Sequence, residues 1–415
     1  MRNTSFTLPS TRREFLQSGA KGIGLLAFSR FAPAFLTHTA LAGAPPPEKD
    51  RSILVLVQLA GGNDGLNTVI PFEDDAYHRL RPNIRIPQQE VLPIGDGLGF
   101  HPSLAPLRGL MDEGHLAIVQ NVGYPNPNRS HFRSTEIWET ASEADDYLAT
   151  GWLGRFFDNT CPGADAHEDP AGIHLGSEMP QSFLSATPHP VFGLSRGGAR
   201  PPNEAQSRLM ERLLEAKTPP EQEPNLAFLQ HTMMDALVSE RRIQKILTDA
   251  KPEARYPQGQ LAASLRSVAA MIAAGLPTRV YFVSHGGFDT HGNQLATHAR
   301  LLGQLAESMQ AFQNDLDSRG LASQVLTMTF SEFGRRPSEN VSKGTDHGTA
   351  APLFVMGNQL HAGLHGSAPS LDVGPKEDLK FSTDFRSVYA TVLDDWLSSP
   401  SKEVLGGDFP KVGFI

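Results

Sequence analysis

The run Ser52-Ile53-Leu54-Val55-Leu56-Val57-Gln58-Leu59, which stops at Gly61-Gly62, constrains the fold more than any other stretch of the chain. A continuous aliphatic run, with no polar residue on every second position, is the pattern of a strand buried on both faces. Such strands belong to parallel sheets covered by helices on each side. Comparable short runs at Leu116–Val122, Arg279–Ser284, Gln324–Phe330 and Leu353–Met356 are expected to be further parallel strands. Ile53–Leu59 and Val280–Val283 should be adjacent or near-adjacent at the centre of the sheet. Between these runs, apolar residues recur at three- and four-residue spacing over Ser103–Met111, Gln206–Glu215, Leu226–Ala250, Gln260–Ala274, Gln294–Ser318 and Asp384–Leu397, which predicts helices. The Pro-, Glu- and Gly-rich segment from Gly197 to Asn225 reads as a surface connection. It opens a helical insertion over about residues 197–275.

The first 42 residues stand apart from this pattern. Arg12-Arg13-Glu14-Phe15-Leu16 precedes a Gly- and Ala-rich apolar run, which ends in the small-x-small sequence Ala40-Leu41-Ala42. Paired arginines, Phe-Leu, a mild apolar stretch and a cleavage pattern, in that order, predict a twin-arginine signal peptide at 1–42. The twin-arginine export machinery is then an expected partner, and the mature chain is expected to be periplasmic or extracellular. The run is too interrupted, by Lys21, Arg30 and Pro33, to be a spanning helix.

Removing that segment leaves 31 basic and 44 acidic residues, a net charge of roughly −13. An acidic surface repels phosphate backbones, so nucleic acid is not an expected partner. No later run of about eighteen apolar residues predicts a membrane span in the mature chain. The single cysteine, Cys161, leaves no internal disulfide to form.

Ligands in open α/β sheets gather beyond the carboxyl ends of the strands, so the residues after each apolar run carry the chemistry. After the first run comes Gly61-Gly62-Asn63-Asp64-Gly65-Leu66-Asn67, a tight turn offering a carboxylate. His285-Gly286-Gly287-Phe288-Asp289-Thr290-His291 follows the strand ending at Ser284, and Ser331-Glu332-Phe333-Gly334-Arg335-Arg336 the one ending at Phe330. Gly344-Thr345-Asp346-His347-Gly348-Thr349 forms a further loop. Each carboxylate alone could be a turn cap. Two Asp/His pairs with a third Asp supply hard oxygen and borderline nitrogen donors of the kind that zinc or manganese takes. The match of Gly193-Leu194-Ser195-Arg196-Gly197 to a nucleophile elbow is set aside, because Pro201-Pro202 cannot continue the required helix.

At these residues the chain resembles a bacterial family of twin-arginine-exported proteins, catalogued as domain of unknown function fifteen-oh-one and grouped with the alkaline phosphatase superfamily. Ser130-His131-Phe132 and Phe381-Ser382-Thr383-Asp384-Phe385-Arg386 join the motifs above, in order, across about residues 50–415. The resemblance implies an α/β, alkaline-phosphatase-like three-layer sandwich with a mostly parallel central sheet. It implies a divalent metal held by Asp64, Asp289, His291, Asp346 and His347, with Ser130 as nucleophile. Arg129 and Arg335 are candidates to orient a phosphate or sulfate ester by bidentate hydrogen bonds, and Glu332 to orient a histidine. Two departures stand out: the superfamily's Asp-x-x-x-His spacing is here Asp-x-His, and the last histidine ligand has only His361 and His365 as candidates. A metal-dependent ester hydrolase and a member that binds metal, ligand or partner without turnover are both compatible with this pattern.

Overall fold

Residues Ile53–Ala60 form β1, and Ile53 to Val57 are all buried, which is why the run tolerates no polar side chain. The computed structural model describes residues 51–160, 170–176, 178–194, 242–374 and 376–415. The expected signal peptide, Cys161, Ser195, the expected helix Gln206–Glu215 and most of Leu226–Ala250 lie outside them. The chain divides into two units, Met1–Leu41 with Leu194–Lys245, and Ala42–Gly193 with Ile246–Ile415. All that follows concerns the second.

In chain order the other strands are β2 (Val69–Ile70), β3 (Leu92–Gly95), β4 (Leu98–Phe100), β5 (Leu116–Gly123), β6 (Gly172–Leu175), β7 (Val191–Gly193) and β8 (Val280–Gly286). They continue with β9 (Val325–Phe330), β10 (Arg335–Glu339), β11 (Thr345–His347), β12 (Ala351–Met356), β13 (Gly363–His365) and β14 (Thr383–Asp384). The helices used below are α1 (Asp75–Leu80), α2 (Ala105–Asp112), α3 (His131–Thr140), α4 (Trp152–Thr160), α5 (Gln260–Ala273), α6 (Gln294–Ser318), α7 (Phe385–Thr391) and α8 (Ser401–Leu405).

A nine-stranded sheet runs β13-β5-β12-β9-β1-β8-β6-β7, with β14 also on β5. As expected, β1 lies between two parallel neighbours: Val57 is level with Val283 of β8 and with Thr329 of β9. One expectation is corrected. The run at Leu353–Met356 is not parallel to its neighbours, since β12 is antiparallel to both β9 and β5. The cause is the connection. Residues 331–350 are spent on the β10–β11 hairpin and its turns, with no crossover to carry the chain back, so β12 must return from the edge where β9 ended.

Leu54 and Leu56 of β1 pack in one core with Trp138 of α3, Phe156 and Phe157 of α4, Tyr389 of α7 and Val404 of α8. The opposite face meets α5 against β8 and α2 against β5, and both helices pack on α6. Helix α5 buries Leu261, Leu265, Val268 and Ile272, so the body of the domain resumes by Gln260. The expected helix Asp384–Leu397 is α7 followed by a π-helical turn, Val392–Trp396. No helix among the described residues is long and apolar enough to cross a membrane.

Candidate metal centre

Strands β1, β8 and β9 are mutually parallel, so their carboxyl ends release three loops on one edge of the sheet. The loops touch closely. Gly61, at φ +120°, has room for no side chain: a Cβ there would lie 2.4 Å from the backbone nitrogen of Asp289. Arg335, 1% exposed, closes the same junction. Its guanidinium donates to the carbonyls of Gly62 (2.7 Å), Thr345 (2.9 Å), Phe288 (3.1 Å) and Gly61, and to Asp289 Oδ1 (2.7 Å).

Asp289 Oδ1 is the centre of the candidate site. It lies 3.0 Å from His291 Nε2, 3.2 Å from His347 Nε2 and 3.5 Å from His131 Nε2. His291 Nε2 and His347 Nε2 are themselves only 2.9 Å apart. The outer ring nitrogens decide which tautomers are present. His131 Nδ1–H donates to Glu332 Oε1 at 2.8 Å, and His347 Nδ1–H donates to the Arg129 carbonyl at 2.8 Å. His291 Nδ1 faces Asp346 Oδ1 at 3.6 Å. In neutral His131 and His347 the inner nitrogen therefore presents a lone pair, and the His131 Nε2 is buried without a hydrogen-bond partner. The ligand atoms of His131, Asp289 and His347 all lie within 4.8 Å of one another.

The cluster opens to solvent through Asp289, whose side chain is half exposed. Partial burial pushes its pKa up, but the hydrogen bond and the charge of Arg335 outweigh that and hold it down at about 2. Asp346 is also lowered, chiefly by the hydrogen bond from Asn340 and against partial burial. It sits behind His291, with Asn340 Nδ2 donating both to it and to the His291 carbonyl, each at 3.0 Å.

Not every expected residue joins. Asp64 is fully buried, and its Oδ2 is held by Arg81 Nη1 at 2.6 Å and by the Gln294 amide. Burial raises its pKa, and the Arg81 charge and hydrogen bond more than reverse this, leaving it lowered. Arg81 in turn donates to the Pro337 and Arg336 carbonyls at 2.8 and 2.9 Å, so Asp64 anchors the β10 region from inside. Ser130 is the exposed N-cap of α3, and its hydroxyl makes no capping bond. Arg129 gives its carbonyl to His347 while its guanidinium pairs with Asp378 at 3.1 Å. Arg335, expected to bind substrate, has every guanidinium nitrogen committed to the loop junction. His361 and His365 bond to the carbonyls of Gly413 and His361, away from the cluster.

The residue that sequence reasoning missed is His131. Its motif, Ser130-His131-Phe132, is plain in the sequence, but nothing there marks the histidine rather than the serine as the residue that meets Asp289. The exposed loop position of Ser130 against the part-buried His131 emerges only in three dimensions.

The family model described as Protein of unknown function (DUF1501) matches residues 51–407. The chain belongs to this family. Among curated proteins, no relative of this DUF1501 protein matches. Solved structures similar to it include Ps i-CgsB in complex with k-i-k-neocarrahexaose, at 10% identity over 88% of this chain and 75% of that one, with a TM-score of 0.41. Another is Streptococcus pyogenes phosphoglycerol transferase GacH in complex with sn-glycerol-1-phosphate, at 9% identity over 96% and 87%, TM-score 0.38. A third is a protein in the alkaline phosphatase superfamily from Vibrio parahaemolyticus, at 9% identity over 93% and 76%, TM-score 0.36. Similarity at this level says nothing about the chemistry, which rests on the chain's own residues.

Proposed function

We propose that this DUF1501 protein is an exported, metal-dependent hydrolase of phosphate or sulfate esters, with zinc or manganese held by His131, Asp289 and His347 and flanked by His291. One observation carries the reading: inner nitrogens of three histidines crowd a single carboxylate oxygen, while His131 and His347 have their outer N–H groups tied to fixed acceptors. Lone pairs so placed repel one another unless a cation sits among them. Imidazole nitrogens with one carboxylate suit zinc better than the harder cations. Bound there, a divalent cation would supply Lewis acidity to an ester oxygen.

The chain's own residues then divide the remaining work. Glu332 and the Arg129 carbonyl hold the rings of His131 and His347 in place. Asp346 orients His291, which is placed to accept a proton at the mouth of the cluster. Ser130, with no hydrogen bond on its hydroxyl, supplies the nucleophile beside His131. Arg129 would grip the ester's oxygens by leaving Asp378. One observation favours the second reading, a metal-binding protein without turnover: Arg335 is fully engaged, and Arg129 and Arg336 share Asp378 as their partner.

Elemental analysis together with an assay on 4-nitrophenyl phosphate and sulfate separates the two. We expect close to one zinc per chain, esterase activity that chelation removes, and loss of both in His347→Ala. Zinc without hydrolysis of either ester, in protein whose Ser130→Ala variant behaves identically, selects the binding protein. A chain that takes up no zinc or manganese ends both.

A further inference from the structure

The carboxyl end of β8 borders a cavity of about 210 Å³. Ser284, His285 and Gly286 form one wall, the start of α5 from Gln258 to Ala262 a second, and α6 between Arg300 and Ser308 the third. At about 30 Å³ per water, the cavity has room for roughly seven waters, or for one six-membered ring with its substituents. Neither aspartate nor glutamate is among its lining residues.

His285, 7% exposed, supplies an acceptor. Its Nε2–H donates to the Leu301 carbonyl at 3.0 Å, so in the neutral ring Nδ1 carries a lone pair. Burial lowers the pKa of His285, and the charge of Arg300 adds to this against the Leu301 hydrogen bond, which keeps the ring neutral. Nδ1 has no hydrogen-bond partner among the described residues. The other walls supply donors. Arg300 Nη1 donates to Gln304 Oε1 at 3.1 Å, which leaves Gln304 Nε2 toward the start of α5: a Cβ built on Gly259 would lie 3.9 Å from it. The Ala263 nitrogen donates to the Gly259 carbonyl, and Gly259 has no side chain to cap the helix. The Leu261 and Ala262 N–H groups, ahead of that bond, therefore meet no acceptor among the described residues. The Ser284 and Ser308 hydroxyls donate to Gln58 Oε1 and to the Gln304 carbonyl, and each oxygen keeps the capacity to accept.

A ligand matched to this lining donates to His285 Nδ1 and accepts from amide and peptide N–H groups. A bare oxyanion does only the second, and its charge would meet the Nδ1 lone pair. A hydroxyl does both. Leu261, Ala262 and Leu301 add apolar surface to the same walls, which suits the C–H faces of a ring. We propose that this cavity binds a hydroxylated six-membered ring, a single sugar unit, with His285 and Gln304 as the residues that hold it. The inference goes beyond the hydrolase reading and does not need it, since His131, Asp289, His291 and His347 line no part of the cavity. Gly286 nevertheless lies three residues before Asp289, at most about 11 Å away between Cα atoms, so cavity and cluster share one edge of the sheet.

Ligand-observed nuclear magnetic resonance and calorimetry on the intact protein, with the methyl glycosides of glucose, galactose and mannose as probes, test it without turnover. We expect at least one of them to bind with a Kd of roughly 1 mM, and the His285 Nδ1 resonance to move as it does. His285→Phe, which keeps a ring but not the acceptor, should weaken that binding about three- to tenfold, and Gln304→Leu, which removes the amide donor, should do the same. Melting temperatures of the two variants show whether the fold is intact, and their zinc content whether the cluster is. No binding of any of the three glycosides at about 50 mM, well above the expected Kd, would overturn the proposal. So would an affinity that neither substitution changes. Binding of inorganic phosphate that Arg300→Ala abolishes and His285→Phe leaves intact would make the cavity an anion site instead. Each of these failures leaves the hydrolase reading where it stands, because that reading is decided by zinc and by turnover of the two nitrophenyl esters.

Discussion

Glu332 and Asp64 are both buried carboxylates on strand-end loops, yet they hold different things. Glu332 Oε1 accepts from the His131 ring and from the Gly61 nitrogen at 2.9 Å, so it ties a candidate ligand to the turn after β1. Asp64 meets Arg81 instead, in a pair with no exposure on either side chain. Truncating a residue that orients a metal-binding histidine typically costs about 10–100-fold in metal affinity, and Glu332→Ala should show that loss with little change in far-ultraviolet circular dichroism. Asp64→Ala should do the reverse. It strands the Arg81 charge in the interior, at a cost of about 3–5 kcal/mol in unfolding free energy, and leaves zinc affinity near its normal value. A stable Asp64→Ala protein that has lost its zinc would return Asp64 to the ligand set. This division could not be read from the sequence. A carboxylate in a Gly-rich turn can face inward or outward, and Arg81, seventeen residues on and within no motif, gave no sign of claiming it.

Among elements, α3 does two jobs, presenting His131 at its first turn and Glu139 near its last. Glu139 is 8% exposed and accepts from the backbone nitrogen of Gln181 at 2.6 Å, joining α3 to the loop that carries Gln181–Phe183. Burial raises its pKa to about 7 from an ordinary 4.5, with hydrogen bonds from Gln181 and Ser182 pulling the other way. The folded state thus holds a proton that the unfolded chain releases. Stability is fully present below about pH 4.5 and falls as pH rises through about 7. Over that window the loss is on the order of 3 kcal/mol. Glu139→Gln should remove it: urea unfolding of the variant and the unaltered protein should agree near pH 4.5 and diverge in the variant's favour at pH 8. Parallel stability curves across that range would mean that Glu139 is ionised in the fold without penalty. Helix α6 was legible to its ends, because its apolar spacing is sustained for 25 residues. The direction of β12 was not, since an apolar run carries no mark of its orientation. What set it was the hairpin before it.

At the scale of the whole molecule, the residues proposed to hold metal come from α3, the loop after β8 and β11, and span His131 to His347. The convergence of Asp289, His291 and His347 followed from motif order and the strand-end rule alone, whereas His131 needed the packing of α3 against Glu332 and Phe333 to bring it in. Residues so far apart in sequence meet only in a finished fold. A chain threaded unfolded through a membrane would arrive without this site and would have to find its metal outside the cell. Arg12-Arg13 with Ala40-Leu41-Ala42, which lie outside the described residues, fit the other route, in which the protein folds and takes up its metal before export. On this view Arg12→Lys combined with Arg13→Lys stops export without affecting folding. Cell fractionation should find the double variant in the cytoplasm as a precursor about 42 residues longer than the exported form, with its zinc already bound. A double variant processed and exported at the normal level would rule out the twin-arginine route, and a cytoplasmic precursor lacking metal would show that loading does not precede export.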